Sequence, residues 1–406
     1  MVAESAWFTA LNKLITGSHV ATAHDLVDLL DEAGVVLGMR ARIYLADLPQ
    51  RALRPVPPGS AEPLGVDGTV AGRSFRLTAL MPSQDEGSGR PALWLPLLDG
   101  TERVGVLHLV LPEGADPADG AVRERCWALA GLVGHLVVAK YPYSDLFHTV
   151  RRTEDMTVAS ELLWQLLPPS TFAGPNVVVS AIMEPFARVG GDGFDYAVDR
   201  DRAYLAVFDS TGHDLRAGLT TSMVLAATRN ARRAGADLAG IAAAADDVLD
   251  AAHVPGRHAT AVLVDLDLHT GVLSYVLAGH PPPVVLRRSR MVKTLAGKPR
   301  PPLGLRHLIG DRPVQVHSEA LEPGDRLLLH TDGVTEARNP EGVPFGLDRL
   351  VDLTERHEAA DLPAPETLRR VVHAVLEHQN GQLQDDATLM LVEWSTTAHG
   401  TLLPTT

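Results

Sequence analysis

The chain has 406 residues, more than one ordinary hydrophobic core accommodates, so two domains are expected. Hydrophobic residues make up 45% of it and charged residues 21%, which is typical of a folded globular protein and excludes general disorder. The 36 basic and 50 acidic residues give a formal net charge of −14, which argues against nucleic acid as a partner.

Cysteine content and apolar runs indicate the compartment. Cys126 is the only cysteine, so no intrachain disulfide can form and a reducing environment fits. No basic segment precedes an apolar run at the N-terminus, so no signal peptide is expected. The longest apolar stretch, residues 127–139, is shorter than the roughly 18 residues that a membrane span requires. We therefore expect a cytoplasmic protein without a membrane partner.

Residues 1–142 are predicted to form one α/β domain. Helical periodicity alternates there with short apolar runs, and Asp99-Gly100 is a strong signal for a hairpin turn. The predicted elements are helices at 21–37, 68–77 and 118–140 and strands at 42–46, 53–56, 92–98 and 103–111.

A connecting helix is predicted over 144–167, within a linker at 143–170. Met156, Ala159, Leu163 and Leu166 recur at 3-4-3 spacing, which is typical of a short coiled-coil seam and hence of a homodimer. A helix packed on its own domain explains the same spacing equally well.

Residues 171–396 read as runs of strands with helices grouped separately, and 397–406 as a flexible tail. This grouping predicts an α/β sandwich in which two sheets carry outer helices. The predicted strands are 177–179, 203–208, a hairpin over 260–278, 326–330 and 388–394, and the predicted helices are 215–234, 237–252, 347–356 and 366–380.

Four aspartates in Gly-rich or polar turns stand in this second region, three of them beside an apolar run that reads as a buried strand. Carboxylates gathered at one end of a sheet repel one another unless cations neutralise them, and oxygen-only ligands suit Mn²⁺ or Mg²⁺. Asp209 follows a strand, and Gly212 lets the backbone turn close to an ion. The four aspartates are Asp192, Asp209, Asp332 and Asp385.

Six motifs in order over 176–394 resemble the SpoIIE-type branch of the PPM (type 2C) metal-dependent serine/threonine phosphatases. The resemblance implies an αββα sandwich and hydrolysis without a covalent enzyme intermediate. The motifs are Val-Gly-Gly-Asp (189–192) with Phe-Asp (194–195), Phe-Asp-Ser-Thr-Gly-His (208–213), Ala-Gly-His-Pro-Pro-Pro (278–283), Pro-Leu-Gly-Leu (302–305), LLLHTDGVTEARNPEGVPF (327–345) and Asp-Asp-Ala-Thr (385–388).

Carried across residue by residue, the resemblance implies two ions, Mn²⁺ or Mg²⁺, that activate a shared water. Asp192 would hold one ion, Asp209 would bridge both, and Asp332 and Asp385 would hold the other. The Ser210 carbonyl would add a ligand.

Secondary candidates surround these ligands. Asp195 and Asp386 would orient waters around the ions. His213 is either a general acid or a turn residue, and Arg188 either contacts the substrate phosphate or forms a surface salt bridge. Gly333 belongs to the His-Thr-Asp-Gly turn, and His280, before three prolines, is assigned a rigid turn without chemistry.

Three positions depart from the family pattern. Gly193 stands where an aromatic residue often follows Val-Gly-Gly-Asp, Asp214 where glycine is usual, and Leu277 where asparagine is usual. None of them removes a direct ligand. Gly193 and Asp214 nevertheless raise the question of altered metal affinity.

The N-terminal region resembles a GAF domain, a common sensor module. The residues that carry this resemblance are 43–47 (IYLAD), 68–75 (GTVAGRSF), 93–97 (LWLPL) and 105–109 (GVLHL). It implies a domain that binds a small-molecule or protein signal or that dimerises, and a generic α/β domain without a ligand is the alternative.

The leading hypothesis from sequence is a metal-dependent protein serine/threonine phosphatase controlled by the N-terminal sensor. The family resemblance implies a phosphorylated anti-anti-sigma (STAS-type) regulator as substrate. The alternative is a catalytically silent sensor that sequesters a partner, and paired metal binding would distinguish the two.

Overall fold

The computed structural model describes residues 4–403 except 185, 186, 189, 213, 253–256, 309–312, 382, 395 and 396. The chain divides into two compact units, Met1–Glu154 with Gly400–Thr406, and Asp155–His399. Among the described helices, none is long and apolar enough to cross a membrane.

The first unit is built on an antiparallel six-stranded sheet in the order β3-β2-β1-β6-β5-β4. Helices α1, α2 and α4 pack on one side of it and α3 contacts β5 and β6, so two separate apolar clusters form. Its elements are α1 Glu4–Ser18, α2 Ala23–Leu37, β1 Arg40–Ala46, β2 Ala52–Val56, β3 Leu64–Gly65, α3 Val70–Leu77, β4 Met81–Gln84, β5 Pro91–Asp99, β6 Glu102–Val110, α4 Gly120–Lys140 and α5 Asp145–Arg151.

All seven elements predicted in this unit are present, while α1, β3 and β4 were not predicted. Helix caps account for the sharp helix starts. Thr22 and Asp25 form a reciprocal capping box at α2, and Asp119 accepts the Val122 amide at the start of α4.

The prediction of one connecting helix over 144–167 is wrong. Helix α5 ends at Arg151, Arg152 is extended, and a second helix, α6 (Val158–Leu166), begins after the cap residue Thr157. The Thr157 side chain accepts the Ser160 amide at 3.1 Å, which favours a new helix start over continuation. Ala159 and Leu163 are buried within the second unit, as in the alternative of a helix packed on its own domain.

The tail is also more ordered than predicted. Ala398–Thr401 form a 3₁₀ turn, and the apolar side chain of Leu402 is only 2% exposed. Residues 404–406 lie outside the described part of the chain.

The second unit is a sandwich of two antiparallel sheets, in the orders β15-β12-β11-β10-β9 and β14-β13-β16-β17-β8-β7. Its remaining elements are β7 Thr171–Gly174, β8 Val177–Glu184, β9 Asp192–Val198, β10 Arg202–Ser210, α7 Leu215–Arg233, α8 Leu238–Ala251, β11 Ala259–Asp267, β12 Val272–Ala278, β13 Val284–Arg287, β14 Arg290–Thr294, β15 His317–Ala320, β16 Arg326–His330, α9 Asp332–Thr335, α10 Leu347–Ala359, α11 Ala364–His378 and β17 Ala387–Trp394.

The predicted αββα architecture is confirmed. Helices α7 and α8 pack on the five-stranded sheet, α11 packs on β8 and β17, and α10 lies beside α11. One buried cluster takes side chains from both sheets, among them Phe194 and Phe208 of the first and Leu329 and Met390 of the second. Burial of this apolar surface is the main force that holds the sheets together.

The close approach of β6 to β1 yields a test of the first unit. A Cβ at Gly105 would lie 2.0 Å from the Tyr44 carbonyl oxygen, so Gly105→Ala should lower the free energy of unfolding by about 1–3 kcal/mol. Gly131→Ala in α4 is the control, because a Cβ there meets nothing within 4 Å and helix propensity should raise stability by up to about 1 kcal/mol. Urea unfolding followed by tryptophan fluorescence compares them, and equal midpoints for the two variants would contradict the packing described.

Candidate metal centre

Two of the four predicted aspartates are neighbours across adjacent strands. Asp192 begins β9, Asp209 is the second-last residue of β10, and the antiparallel register places them directly opposite each other. Side chains of directly paired residues stand about 4.5–5.5 Å apart at Cβ. The five-stranded sheet therefore supplies one half of the acidic group, which consists of Asp192, Asp209, Asp332 and Asp385.

The other half comes from the six-stranded sheet. Asp332 follows β16 and opens α9, while Asp385 and Asp386 immediately precede β17. Strands β16 and β17 are paired, and the Thr331 amide donates to the Thr388 carbonyl at 3.1 Å. The end of β16 and the start of β17 consequently present their acids at one edge of the sandwich.

Burial and mutual repulsion raise the pKa values of Asp192, Asp209 and Asp332. Burial, followed by the charges of Asp386 and Asp209, raises the pKa of Asp192 well above its usual value. Burial, with Asp332 and Asp385, raises the pKa of Asp209 to about 7. The pKa of Asp332 is raised by burial and by Asp385. Among the described residues, no lysine or arginine forms an ion pair with any of these five carboxylates.

Asp386 is an anchor for the loop that carries Asp192. One of its carboxylate oxygens accepts the backbone amides of Gly190 (2.9 Å), Gly191 (2.7 Å) and Asp192 (3.2 Å). The side chain is 4% exposed, and burial raises its pKa although the three amide bonds oppose this. These bonds fix the backbone of the first motif on the second sheet.

Two threonines that the sequence analysis did not single out complete this support. Thr331 Oγ1 donates to Asp192 Oδ2 at 2.8 Å and accepts the Thr388 amide at 3.0 Å. Thr221 of α7 donates to the Gly191 carbonyl and lies 2.8 Å from Ser210 Oγ. The His-Thr-Asp sequence was a signal for Thr331, whereas nothing local marked Thr221 among the polar residues of α7.

Glycines permit the close approach of these loops. A Cβ at Gly333 would lie 1.8 Å from the Asp386 carbonyl oxygen, and a Cβ at Gly191 would lie 2.4 Å from that of Ser210. Ser210 is buried, and its amide donates to the Gly191 carbonyl at 3.0 Å. Gly333 thus has a packing role, while ligation by the Ser210 carbonyl stays a prediction.

Asp195 does not take part in this site, contrary to the sequence prediction. It is buried against α7, where Arg229 donates two hydrogen bonds to one of its oxygens and Arg232 donates one to the other. A carboxylate held by two guanidinium groups is a structural ion cluster between β9 and α7. Arg188 is exposed in the turn before the first motif, and His213 lies outside the described residues.

The three departures from the family pattern have structural explanations. A Cβ at Gly193 would lie 2.6 Å from Cγ2 of Thr221, so the glycine lets α7 pack close to β9. Asp214 caps α7 by accepting the amides of Arg216 and Ala217. Leu277 is buried in β12. None of these positions alters the acidic group itself.

The acidic group suits hard divalent ions in donor type and in charge. Its carboxylates are the ligands that Mg²⁺ and Mn²⁺ prefer, and their repulsion is the kind that a cation relieves. Over the part of the chain that the structure describes, no three Asp, Glu, His or Cys side chains converge closely enough to hold an ion. By donor type and by their position at one edge of the sandwich, the residues predicted to hold ions are Asp192, Asp209, Asp332 and Asp385.

Comparison with known proteins shows which family this unit resembles. Residues 199–395 match the family model described as stage II sporulation protein E (SpoIIE). Phosphoserine phosphatase RsbU of Bacillus subtilis is 25% identical over 215 residues, which cover 53% of this chain and 62% of RsbU. Protein IcfG of Synechocystis is 31% identical over 128 residues, which cover 31% of this chain and 19% of IcfG. The chain thus spans less than two thirds of both curated relatives.

Solved structures match over a similar range. The RsbU and RsbW domains of Rv1364c from Mycobacterium tuberculosis align with a TM-score of 0.47 and 27% identity, covering 54% of this chain and 62% of that one. The SiaA-PP2C domain of Pseudomonas aeruginosa aligns with a TM-score of 0.49 and 24% identity, covering 58% and 94%. In sequence, the second unit is therefore similar to SpoIIE-type phosphatases.

The raised pKa of Asp209 makes stability depend on pH when metal is chelated. With a folded pKa of about 7 against a usual 3.8, Asp209 ionises in the unfolded chain first, so stability falls as pH rises between these values. In EDTA, we expect a melting temperature lower by on the order of 5 °C at pH 8 than at pH 5.5. Asp209→Asn should reduce this difference.

Asp214→Asn is the matched control for that measurement, because it removes one charge nearby and asparagine also caps helices well. Differential scanning calorimetry at the two pH values compares the three proteins. An equal pH dependence in the wild type and Asp209→Asn would contradict the electrostatic assignment.

Proposed function

We propose that the chain is a Mn²⁺- or Mg²⁺-dependent phosphatase that hydrolyses phosphoserine or phosphothreonine on a regulatory protein. The observation that carries the proposal is the group of carboxylates that two sheets present at one edge without a basic partner among the described residues. The match of residues 199–395 to the SpoIIE family model supports it.

When bound, two divalent ions would supply an activated water and would neutralise the charge of the phosphate. Asp192 and Asp209, opposite each other on paired strands, would hold ions from one sheet, and Asp332 and Asp385 from the other. Asp386 would not ligate, because it holds the backbone amides of the first motif. The fold would keep the four carboxylates close together despite their mutual electrostatic repulsion.

The substrate we propose is a phosphorylated anti-anti-sigma protein of the STAS type. Support comes from the relatives: RsbU of B. subtilis is named a phosphoserine phosphatase, and the Rv1364c structure joins an RsbU domain to an RsbW domain. A phosphatase of this kind would control transcription through partner exchange without binding DNA itself.

We further propose that the first unit is a GAF-like sensor acting through α6. Within the second unit, α6 packs on α7, the helix that follows the Asp209 motif: a Cβ at Gly218 would lie 2.9 Å from the Cβ of Ala159. The Thr157 amide before α6 donates to the Ala187 carbonyl at 2.9 Å, shortly before the first motif. Movement of α6 would therefore reach both acidic loops of the five-stranded sheet.

A cavity of about 480 Å³ in the first unit is the place we propose for a small-molecule signal. Tyr44, Trp94 and His108 line it, and the imidazole of His108 stacks on the Trp94 indole at 4.1 Å between ring centroids. The Ser83 hydroxyl in its wall is buried without a hydrogen-bond partner among the described residues. A ligand with a hydrogen-bonding group would satisfy that hydroxyl.

The alternative remains a catalytically silent module that senses a signal and sequesters a partner. The observation in its favour is the separation of the acids: within the described chain, no three potential ligands converge as they stand. Titration calorimetry with Mn²⁺ distinguishes the two proposals, because the silent module should bind no pair of ions at micromolar to low-millimolar concentration.

Asp332→Asn tests the catalytic assignment. Removing one carboxylate charge from the acidic group should abolish metal-dependent hydrolysis of p-nitrophenyl phosphate while the fold is kept, since asparagine has the same shape. Asp348→Asn, on the exposed start of α10, is the matched control and should retain wild-type turnover. Assays with Mn²⁺, Mg²⁺ and chelator make the comparison, and near-normal activity in Asp332→Asn would rule out the assignment.

Ala159→Leu tests the proposed route through α6. Enlarging the side chain that faces Gly218 should push α6 from α7 and change turnover severalfold at saturating Mn²⁺. Val158→Leu is the control, because Val158 is 71% exposed and has room for the added methylene group. If both variants show the wild-type rate, α6 does not influence the acidic loops.

A further inference from the structure

His280 lies between the two sheets at the edge where the acids collect. It follows β12, its side chain is 6% exposed, and both ring nitrogens are hydrogen-bonded. Nδ1 is 2.7 Å from Thr260 Oγ1, and Nε2 is 3.0 Å from the His330 carbonyl oxygen. The turn interpretation given to this residue from sequence does not account for these contacts.

The partners define the tautomer. A carbonyl oxygen can only accept, so Nε2 carries the proton and donates to His330. Nδ1 is then an acceptor, and the Thr260 hydroxyl donates to it. Burial lowers the pKa of His280 to about 3, which keeps the ring neutral and this pair of bonds intact.

Each partner is next to a carboxylate of the acidic group. Thr260 lies in β11 directly opposite Asp209. His330 ends β16, two residues before Asp332, and the intervening Thr331 donates to Asp192. One imidazole thereby connects the strand beside Asp209 to the strand end that leads to Asp332.

Contacts of the neighbouring residue Gly279 fix the backbone position of His280. Gly279 has a φ of +68°, and a Cβ there would lie 2.7 Å from Cγ of Pro302. Gly279 also forms a parallel bridge with Ala261, the residue after Thr260. The ring therefore projects from a fixed point of the five-stranded sheet towards the other sheet.

We infer that His280 is a positioning residue that sets the spacing of Asp209 and Asp332 across the two sheets, and so tunes the affinity of the acidic group for divalent ions. The inference rests on the proposed function for the identity of the ions. A histidine whose only role was to fill the core would not need hydrogen bonds to both Thr260 and His330.

Two substitutions separate the two bonds. The amide of glutamine ends as many bonds from Cα as Nε2 does, so His280→Gln can still donate to the His330 carbonyl. Asparagine ends at the level of Nδ1, so His280→Asn can reach Thr260 but not His330. Both replace a buried ring by a smaller amide, so both should lose a comparable amount of packing.

Calorimetric titration of the full-length variants with Mn²⁺ is the test, alongside their melting temperatures. We expect His280→Asn to weaken Mn²⁺ binding by about tenfold or more, as the loss of a group that orients metal ligands does. His280→Gln should retain affinity within about threefold of wild type. Equal Mn²⁺ affinity of the two variants, whether as in wild type or equally weakened, would overturn the inference.

Thr260→Val keeps the test valid if the His280 variants do not fold. It removes the donor that keeps the proton of the imidazole on Nε2, a role that the amide of His280→Gln does not need, so it should weaken Mn²⁺ binding, while Thr260→Ser, which keeps the hydroxyl, should not. Unchanged affinity in Thr260→Val would contradict the inference. Because the readout is binding, a wild type that binds Mn²⁺ without phosphatase activity refutes only the proposed function, and one that binds no Mn²⁺ refutes both.

Discussion

Repulsion between carboxylates is the constraint on which the second unit depends. The chain brings Asp192 and Asp209 from one sheet, and Asp332 and Asp385 from the other, to a single edge of the sandwich. Burial raises the pKa values of Asp192 and Asp209, because neither water nor a described basic residue stabilises their charged forms there. Such an arrangement costs stability unless a cation is bound, so the apolar core between the sheets must hold it together.

Hydrogen bonds that involve no cation hold the acids in place against their mutual repulsion. Asp386 accepts three amides of the first motif, Thr331 bonds both Asp192 and the next strand, and His280 connects the two sheets. Each of these contacts crosses from one sheet, or from one motif, to another. The acids of the two sheets are therefore placed as one group by groups that carry no positive charge.

The fold was largely predictable because apolar periodicity and turn residues mark most elements locally. β9 was missed since it opens on Asp192 and Gly193, and its pairing with β10 is a long-range property. The single connecting helix was wrong because periodicity through 144–167 does not reveal a cap at Thr157. Short sequence motifs were sufficient to predict the acidic group. The prediction that Asp195 belongs to the metal site was wrong because its arginine partners lie more than thirty residues away in the sequence. Thr221 and the two bonds of His280 depend on packing between sheets, which no local pattern encodes.

The two sheets are proposed to form one site for a pair of divalent ions. Electron paramagnetic resonance of the full-length protein titrated with Mn²⁺ tests it directly, because two Mn²⁺ ions about 4 Å apart couple their spins. We expect two ions per chain with a spin-coupled spectrum, which is lost in Asp209→Asn. A spectrum of isolated Mn²⁺ at every loading, or no bound Mn²⁺ at all, would contradict a paired site.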